Sequence, residues 1–198
     1  MESSIPGDAR HPLPRRSLTR GIGFVIAGSM IFALCAVTCV ASIPQVTTVA
    51  RNRQDIQGID ASEKIIAFER VKDSDLTALP DLPDAHQIVF EDCRDLNGEG
   101  FQYLKRMPNL AVVNFSNCPT LNDDSIEALL SATDLEWVSI QGPNQITNQS
   151  LQKFAREASL RMVMIGEGSI VSRSALQELK RALPKCSVYG PDGEVKLD

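Results

Sequence analysis

An apolar pattern that recurs every 25 residues between residues 85 and 188 constrains this chain more than any other feature. Six columns of apolar side chains keep their register with no insertion or deletion between units. The columns are Ala85, Leu110, Leu135 and Leu160; Ile88, Val113, Val138, Val163 and Val188; Phe90, Phe115, Ile140 and Ile165; Leu96, Leu121, Ile146 and Val171; Phe101, Ile126, Leu151 and Leu176; and Leu104, Leu129, Phe154 and Leu179. This period indicates a stacked repeat array, because each unit can bury its apolar edge only against its neighbours.

Each unit contains the pattern of a strand followed by that of a helix. Val113 and Phe115 flank the polar Asn114, an alternation that is typical of a strand with one buried face. Ile126 and Leu129 follow at the spacing of a short helical stripe. We therefore expect an α/β fold with one strand and one helix in each unit.

A column of polar residues opens the predicted helices. Such side chains can accept hydrogen bonds from the first free N–H groups of a helix. The column contains Asn97, Asn122, Thr147 and Ser172. A degenerate first unit is expected to begin near Asp60, with Lys72 in the capping column. Within that unit Ile65 lies 25 residues before Phe90.

The unit that begins at Leu110 opens with the motif L-x-x-V-x-F-x-x-C, which ends at Cys118, and an apolar residue, a capping residue and a helix follow in the same unit. This pattern resembles the cysteine-containing class of leucine-rich repeats, and the resemblance covers residues 60–190. It implies a short right-handed solenoid with parallel strands on the concave face and helices on the convex face. It also implies that Cys93 and Cys118 are small, buried side chains at the turn. We expect free thiols there, although adjacent coils are close enough for a disulfide.

Residues 21–43 carry no charged side chain and are long enough, as a helix, to cross a hydrocarbon core of about 30 Å. The preceding segment is rich in arginine, whereas the following flank carries charges of both signs. The positive-inside rule therefore predicts a basic cytoplasmic tail (1–20), a retained signal-anchor as a single transmembrane helix (Gly21–Ile43), and repeats on the extracytoplasmic side.

A cleavable export signal is the alternative interpretation of the same segment. Arg15 and Arg16 precede the apolar run, and Cys39-Val40-Ala41 has the small residues of a cleavage site. Cleavage there would release a soluble, exported repeat protein. The remaining predicted segments are a polar tether at 44–59, a leucine-rich-repeat domain at 60–190 and a flexible tail at 191–198.

The charge and the motif content argue against several functional classes. Residues 51–198 contain 16 basic and 23 acidic residues, and this net charge of −7 repels nucleic-acid phosphates. The two histidines, His11 and His86, belong to no catalytic or metal-binding motif. The acidic residues between Asp92 and Glu99 lack the spacing of an EF-hand calcium loop. We therefore expect a protein that is not an enzyme, with no metal, no cofactor, no small-molecule substrate and no nucleic-acid partner.

The strand side chains that point away from the helices carry the remaining functional signal. Four apolar residues of neighbouring units should form one patch on the concave face: Val112, Trp137, Met162 and Met164. Trp137 is the sole tryptophan of the chain, and Trp and Met are enriched in protein interfaces. The same residues could instead only shield one another near the edge of the sheet, and this alternative stays open.

These observations predict a membrane-anchored, non-catalytic repeat protein that binds an unidentified protein partner through its concave sheet. The alternative function is a structural or assembly factor, in which residues 21–43 pair with a membrane complex and the repeats act as a spacer. Removal of residues 1–43 separates the two hypotheses, because a binding module would keep its partner and an assembly factor would lose it.

Overall fold

The computed structural model describes residues 48–197, and the predicted cytoplasmic tail and transmembrane helix lie outside this range. The strands are β1 (Thr48–Ala50), β2 (Ile65–Glu69), β3 (Gln87–Glu91), β4 (Val112–Ser116), β5 (Trp137–Gln141), β6 (Met162–Ile165), β7 (Ser187–Gly190) and β8 (Gly193–Glu194). The helices are α1 (Arg53–Gln57), α2 (Asp123–Ala132), α3 (Asn148–Phe154) and α4 (Arg173–Ala182), with 3₁₀ helices at Asp73–Ala78 and Phe101–Arg106. None of the helices between residues 48 and 197 has the length and apolar character that a membrane span requires.

The strands form one sheet whose spatial order is the order of the chain, from β1 to β8. Neighbouring strands from β1 to β7 pair in parallel, and β8 pairs antiparallel to β7. From β3 to β6, paired residues lie 25 positions apart in the sequence, which is the repeat period. Ile88 therefore pairs with Val113, and Val113 pairs with Val138. The predicted α/β class, with a mostly parallel sheet and helices, is confirmed.

Inward-pointing strand residues and helix residues form one continuous apolar core. Every member of the six predicted columns is at most 3 % exposed except Val171, which is half-buried. Phenylalanine rings stack along the sheet, with the centroids of Phe68 and Phe90 and those of Phe90 and Phe115 each 5.2 Å apart. Because each large side chain removed from water contributes about 1.5–3 kcal/mol, the columns are the main source of stability.

Polar side chains cap the helices of the later units as predicted. Asn122 accepts hydrogen bonds from two N–H groups of the first turn of α2, and Thr147 and Ser172 each accept one in α3 and α4. Asn97 differs, because its side chain accepts from the N–H of Glu99 while the 3₁₀ helix begins only at Phe101.

A second set of caps, which the sequence analysis missed, joins successive units. Asp123 of α2 accepts hydrogen bonds from the backbone N–H groups of Thr147 at 2.9 Å and Ser150 at 3.1 Å, both in the next unit. The hydroxyls of these two residues donate to the same carboxylate. Asp73 and Asn148 occupy the same position in the period. They also accept hydrogen bonds from backbone N–H groups of the following unit. These side chains therefore tie helix starts to the preceding unit.

The Asp123 caps predict a loss of stability at low pH. Burial raises the pKa of Asp123, but the hydrogen bonds from Ser150 and Thr147 outweigh burial and hold the pKa below its ordinary value. The stabilisation is fully present above the unfolded-state pKa of about 4 and is lost as the pH falls through the lower folded-state pKa. Asp123→Ala should cost about 2 kcal/mol at neutral pH and flatten the acid side of the stability profile.

Urea unfolding followed between pH 3 and pH 7 measures this effect. Asp124→Ala is the matched control, since Asp124 lies in the same helical turn but its exposed carboxylate makes no hydrogen bond within the described range. Equal losses for the two variants would show that the contacts between units contribute nothing.

The predicted polar tether at 44–59 needs correction, because the folded elements β1 and α1 lie within it. β1 pairs with β2 and buries Ala50, and α1 buries Ile56 in the same core. The side chain of Asn52 caps α1 by accepting hydrogen bonds from two backbone N–H groups. These elements add a partial unit before the predicted start of the array.

In the first predicted unit, the strand and the helix are offset from their counterparts in the next unit by different numbers of residues. Phe68 of β2 pairs with Phe90, an offset of 22 residues rather than the 25 expected from Ile65. The 25-residue spacing returns at Leu76, which is buried and lies 25 residues before the buried Phe101. The turn that follows β2 is therefore three residues shorter than the turn that follows β3.

The predicted flexible tail at 191–198 is also partly folded. β8 returns along β7 after a turn at Pro191-Asp192. The N–H of Val195 donates to the carbonyl of Val188 at 2.8 Å, and the Val195 side chain packs against the core. This hairpin covers the last parallel strand, which would otherwise present unpaired backbone groups at the edge of the sheet.

Candidate protein-binding face

The strand side chains that point away from the core form a surface that we call the outer face. In β3 and β4 the inward residues are buried, whereas the residues that alternate with them are half-buried. This alternation follows from the pleat of a strand, which sends successive side chains to opposite sides of the sheet. The outer face is therefore the side of the sheet that the helices leave uncovered.

All four predicted binding residues lie together on the outer face. Backbone pairing places Val112 of β4 beside Trp137 of β5, and Trp137 beside Met162 of β6. Met164 follows two residues after Met162, on the same side of β6. We call Val112, Trp137, Met162 and Met164 the apolar patch, and each of these residues is half-buried.

Tyr189 extends the apolar patch to the next strand, although the sequence analysis did not count it as a binding residue. It pairs with Met164 between β6 and β7 and is half-buried. The signal was present in the sequence, because Tyr189 lies 25 residues after Met164. On the other side of Met164, Ser139 is only 3 % exposed, so the larger neighbouring side chains cover it.

The indole N–H of Trp137 is the one polar feature within the apolar patch that lacks a partner. Its Nε1 atom is buried and makes no hydrogen bond within residues 48–197. A buried donor left without an acceptor costs about 1–3 kcal/mol. No sequence signal could have shown this, because the partner of an indole depends on how the folded chain surrounds it.

Carboxylates lie on the outer face at its N-terminal side. Glu69 of β2 forms ion pairs with Arg51 and Arg70. The hydrogen bond from the Arg51 guanidinium, at 2.7 Å, holds the pKa of Glu69 below its ordinary value. Glu91 of β3 pairs in register with Glu69, but its carboxylate has no hydrogen bond and no ion pair among the residues described.

The two cysteines of the predicted cysteine column lie behind the outer face. Cys93 and Cys118 are free and buried, and the Cys118 thiol lies 3.8 Å from the carbonyl oxygen of Phe90. The neighbouring Cys93 thiol and burial both raise the pKa of Cys118 above its ordinary value. A thiol in this environment stays protonated, which suits packing rather than nucleophilic attack.

Two further clefts lie away from the apolar patch. A groove of about 410 Å³ separates α3 from α4 and has Leu151 and Leu179 at its base, with Arg156 and Glu178 on its lining. A cleft of about 450 Å³ lies at the ends of β2 and β3, and its lining alternates in charge. Neither cleft brings several apolar anchors together as the outer face does.

No protein-family model matches the chain, and no curated protein is significantly similar to it. The function must therefore be inferred from the geometry of the outer face. There, an aromatic side chain, two methionines and a valine are contiguous, and a tyrosine adjoins them. Such a combination is typical of the centre of a protein interface.

Proposed function

We propose that this chain is a single-pass, membrane-anchored leucine-rich-repeat protein that mediates protein–protein interaction without catalysis. The observation that carries the proposal is the apolar patch, which the outer face presents around Trp137. Contiguous apolar side chains on an exposed sheet face favour association, because their removal from water contributes about 25 cal/mol per Å² of buried area.

The leucine-rich-repeat architecture is supported by a backbone conformation that recurs at the same position in neighbouring units. The first residue after each of β3, β4 and β5 has a positive φ, of 53° at Asp92, 56° at Asn117 and 77° at Gly142. A conformation repeated at this spacing indicates that the units share one turn design. In this proposal the solenoid is right-handed, the outer face is concave and the helices lie on the convex side.

The membrane anchor in this proposal is Gly21–Ile43, with the N-terminus in the cytoplasm and the repeats on the other side. Its support is the uncharged segment and the arginines that precede it. We expect the full-length protein to stay in the membrane pellet after alkaline carbonate extraction, and added protease to remove the repeats from intact cells. A soluble mature form that begins near Ser42 would contradict the anchor.

The binding role of the apolar patch is tested with Trp137→Ala. Loss of this aromatic anchor should weaken binding of the partner by about 2 kcal/mol or more. The stability should change little, because the Trp137 ring is half-buried and forms no hydrogen bond within the described chain. Partners captured with the full-length protein from membranes are identified by mass spectrometry, and their affinity for each variant is then measured.

Ile170→Ser provides the matched control, because Ile170 is a large apolar residue that is 73 % exposed outside the outer face. The control should bind as the wild type does. Intact binding by folded Trp137→Ala protein would move the site elsewhere. A loss of stability with unchanged affinity would mean that Trp137 only shields Met162 and Met164.

A further inference from the structure

We infer that the partner segment bound by the outer face is an extended, apolar polypeptide that carries one Lys or Arg side chain opposite Glu91. This inference rests on the proposed function and adds the chemistry of the partner to it. Three observations support it: the distribution of charge on the outer face, the position of Glu91 relative to the apolar patch, and the unpaired N–H of Trp137.

The charge of the outer face favours a basic partner. None of the outward strand positions in β2 to β7 carries Lys or Arg. Glu69 is already neutralised by Arg51 and Arg70, whereas the Glu91 carboxylate forms no ion pair within residues 48–197. A cation brought by the partner would therefore meet Glu91 without having to displace an existing ion pair, and complementary charge also fixes the register of the complex.

The spacing between Glu91 and the apolar patch suits a short extended segment. Glu91 lies four residues beyond Gln87, which pairs with Val112, and Val112 in turn pairs with Trp137. The Cα atoms of Glu91 and Trp137 are therefore roughly 16 Å apart, at about 4.8 Å per strand and 3.3 Å per residue. An extended polypeptide covers this distance in about five residues. The basic residue should thus lie four to six positions from the apolar anchor.

The unpaired N–H of Trp137 favours a polypeptide over a lipid or other hydrocarbon. The Nε1 atom has no acceptor in the described part of the chain. An acyl chain packed on the apolar patch would leave this donor unsatisfied. An extended polypeptide presents a carbonyl oxygen at every residue, so that a small rotation of the indole on binding can give the donor its acceptor.

Selection of peptides from a displayed library of random 12-residue sequences tests the inference. The bait is the full-length protein in detergent micelles, and the selected peptides are synthesised and their Kd values measured at low and high salt. We expect enriched sequences with a Lys or Arg four to six residues from a Leu, Phe or Trp. Their binding should weaken at least fivefold with Glu91→Gln and at least tenfold with Trp137→Ala.

Glu178→Gln is the control for charge, because it makes the same change at an exposed carboxylate on α4 and should leave the Kd unchanged. Urea unfolding of each variant verifies that it is folded. Peptides that lose affinity with Trp137→Ala but bind Glu91→Gln normally would overturn the inference and leave the proposed function standing. Peptides that are indifferent to both variants, or an absence of enriched peptides, would overturn both. A Trp137→Ala variant that only dissociates a dimer of the full-length protein would make a second copy the occupant and overturn the inference as well.

Discussion

Phe115→Ala is expected to lower the free energy of unfolding by about 3–5 kcal/mol, a large share of the stability of a typical domain. Phe115 is 1 % exposed. Its ring is stacked on Phe90 with centroids 5.2 Å apart, and it also contacts Phe101 at 5.8 Å. The substitution removes both aromatic contacts and leaves a cavity that two neighbouring units share, so unfolding should spread to both of them.

Urea unfolding of the full-length protein, followed by the fluorescence of its sole tryptophan, measures this loss. Trp137 is a suitable reporter because β5 pairs directly with β4, which carries Phe115. Phe115→Ile is the matched control, since Ile140 and Ile165 occupy the same column in the next two units. The control should lose clearly less stability than the alanine variant. An unchanged unfolding midpoint for Phe115→Ala would mean that the Phe column does not hold the units together.

Gly98→Ala should be almost as damaging, at about 4 kcal/mol, for a reason unrelated to lost apolar contact. Gly98 has a φ of +100°, which strains any residue with a side chain by about 2 kcal/mol. A Cβ atom at this position would also lie 2.6 Å from the Cα of Ser125 in the next unit. Because that atom belongs to the backbone of α2, relieving the clash requires the two units to move apart, at a further cost of about 2 kcal/mol.

Gly193→Ala separates the backbone strain from the clash between neighbouring units. Gly193 has a similar φ of +105°, but nothing lies within 4 Å of a Cβ built there. This variant should therefore show the strain alone, about 2 kcal/mol, and the difference between the two variants measures the close approach of the units. The same chemical unfolding experiment applies to both. Equal losses would show that Ser125 can move away at no cost.

Periodic local features of the sequence were sufficient to predict most of the fold. The six columns predict the core because a side chain that repeats in register must meet its counterparts in the adjacent units, and the structure buries nearly all of them. The helix caps at Asn122, Thr147 and Ser172 were predictable because capping acts within one turn of the chain. The positions of Trp137 and Met162 on the outer face followed from the two-residue period of a strand.

The elements that interrupt the period were not predictable in this way. β1 and α1 bury few apolar residues, chiefly Ala50 and Ile56, so their sequence resembles that of a polar linker. They fold because β2 offers an edge to pair with and the core offers a surface for Ile56. The short turn after β2 was not predictable either. The spacing of 25 residues holds from Leu76 onwards, so the sequence does not reveal that β2 pairs with β3 at an offset of 22 residues.

The sequence by itself determined the repeat period, the inward and outward sides of each strand, and the members of the apolar patch, because each depends only on spacing along the chain. The tertiary structure alone decided the partners of the polar groups. Asp123 accepts hydrogen bonds from residues 24 and 27 positions away, the Glu91 carboxylate forms no ion pair among the described residues, and the N–H of Trp137 is buried without an acceptor there. Hydrogen bonds and ion pairs depend on distances of a few ångströms between separate units, and only the stacking of those units sets such distances.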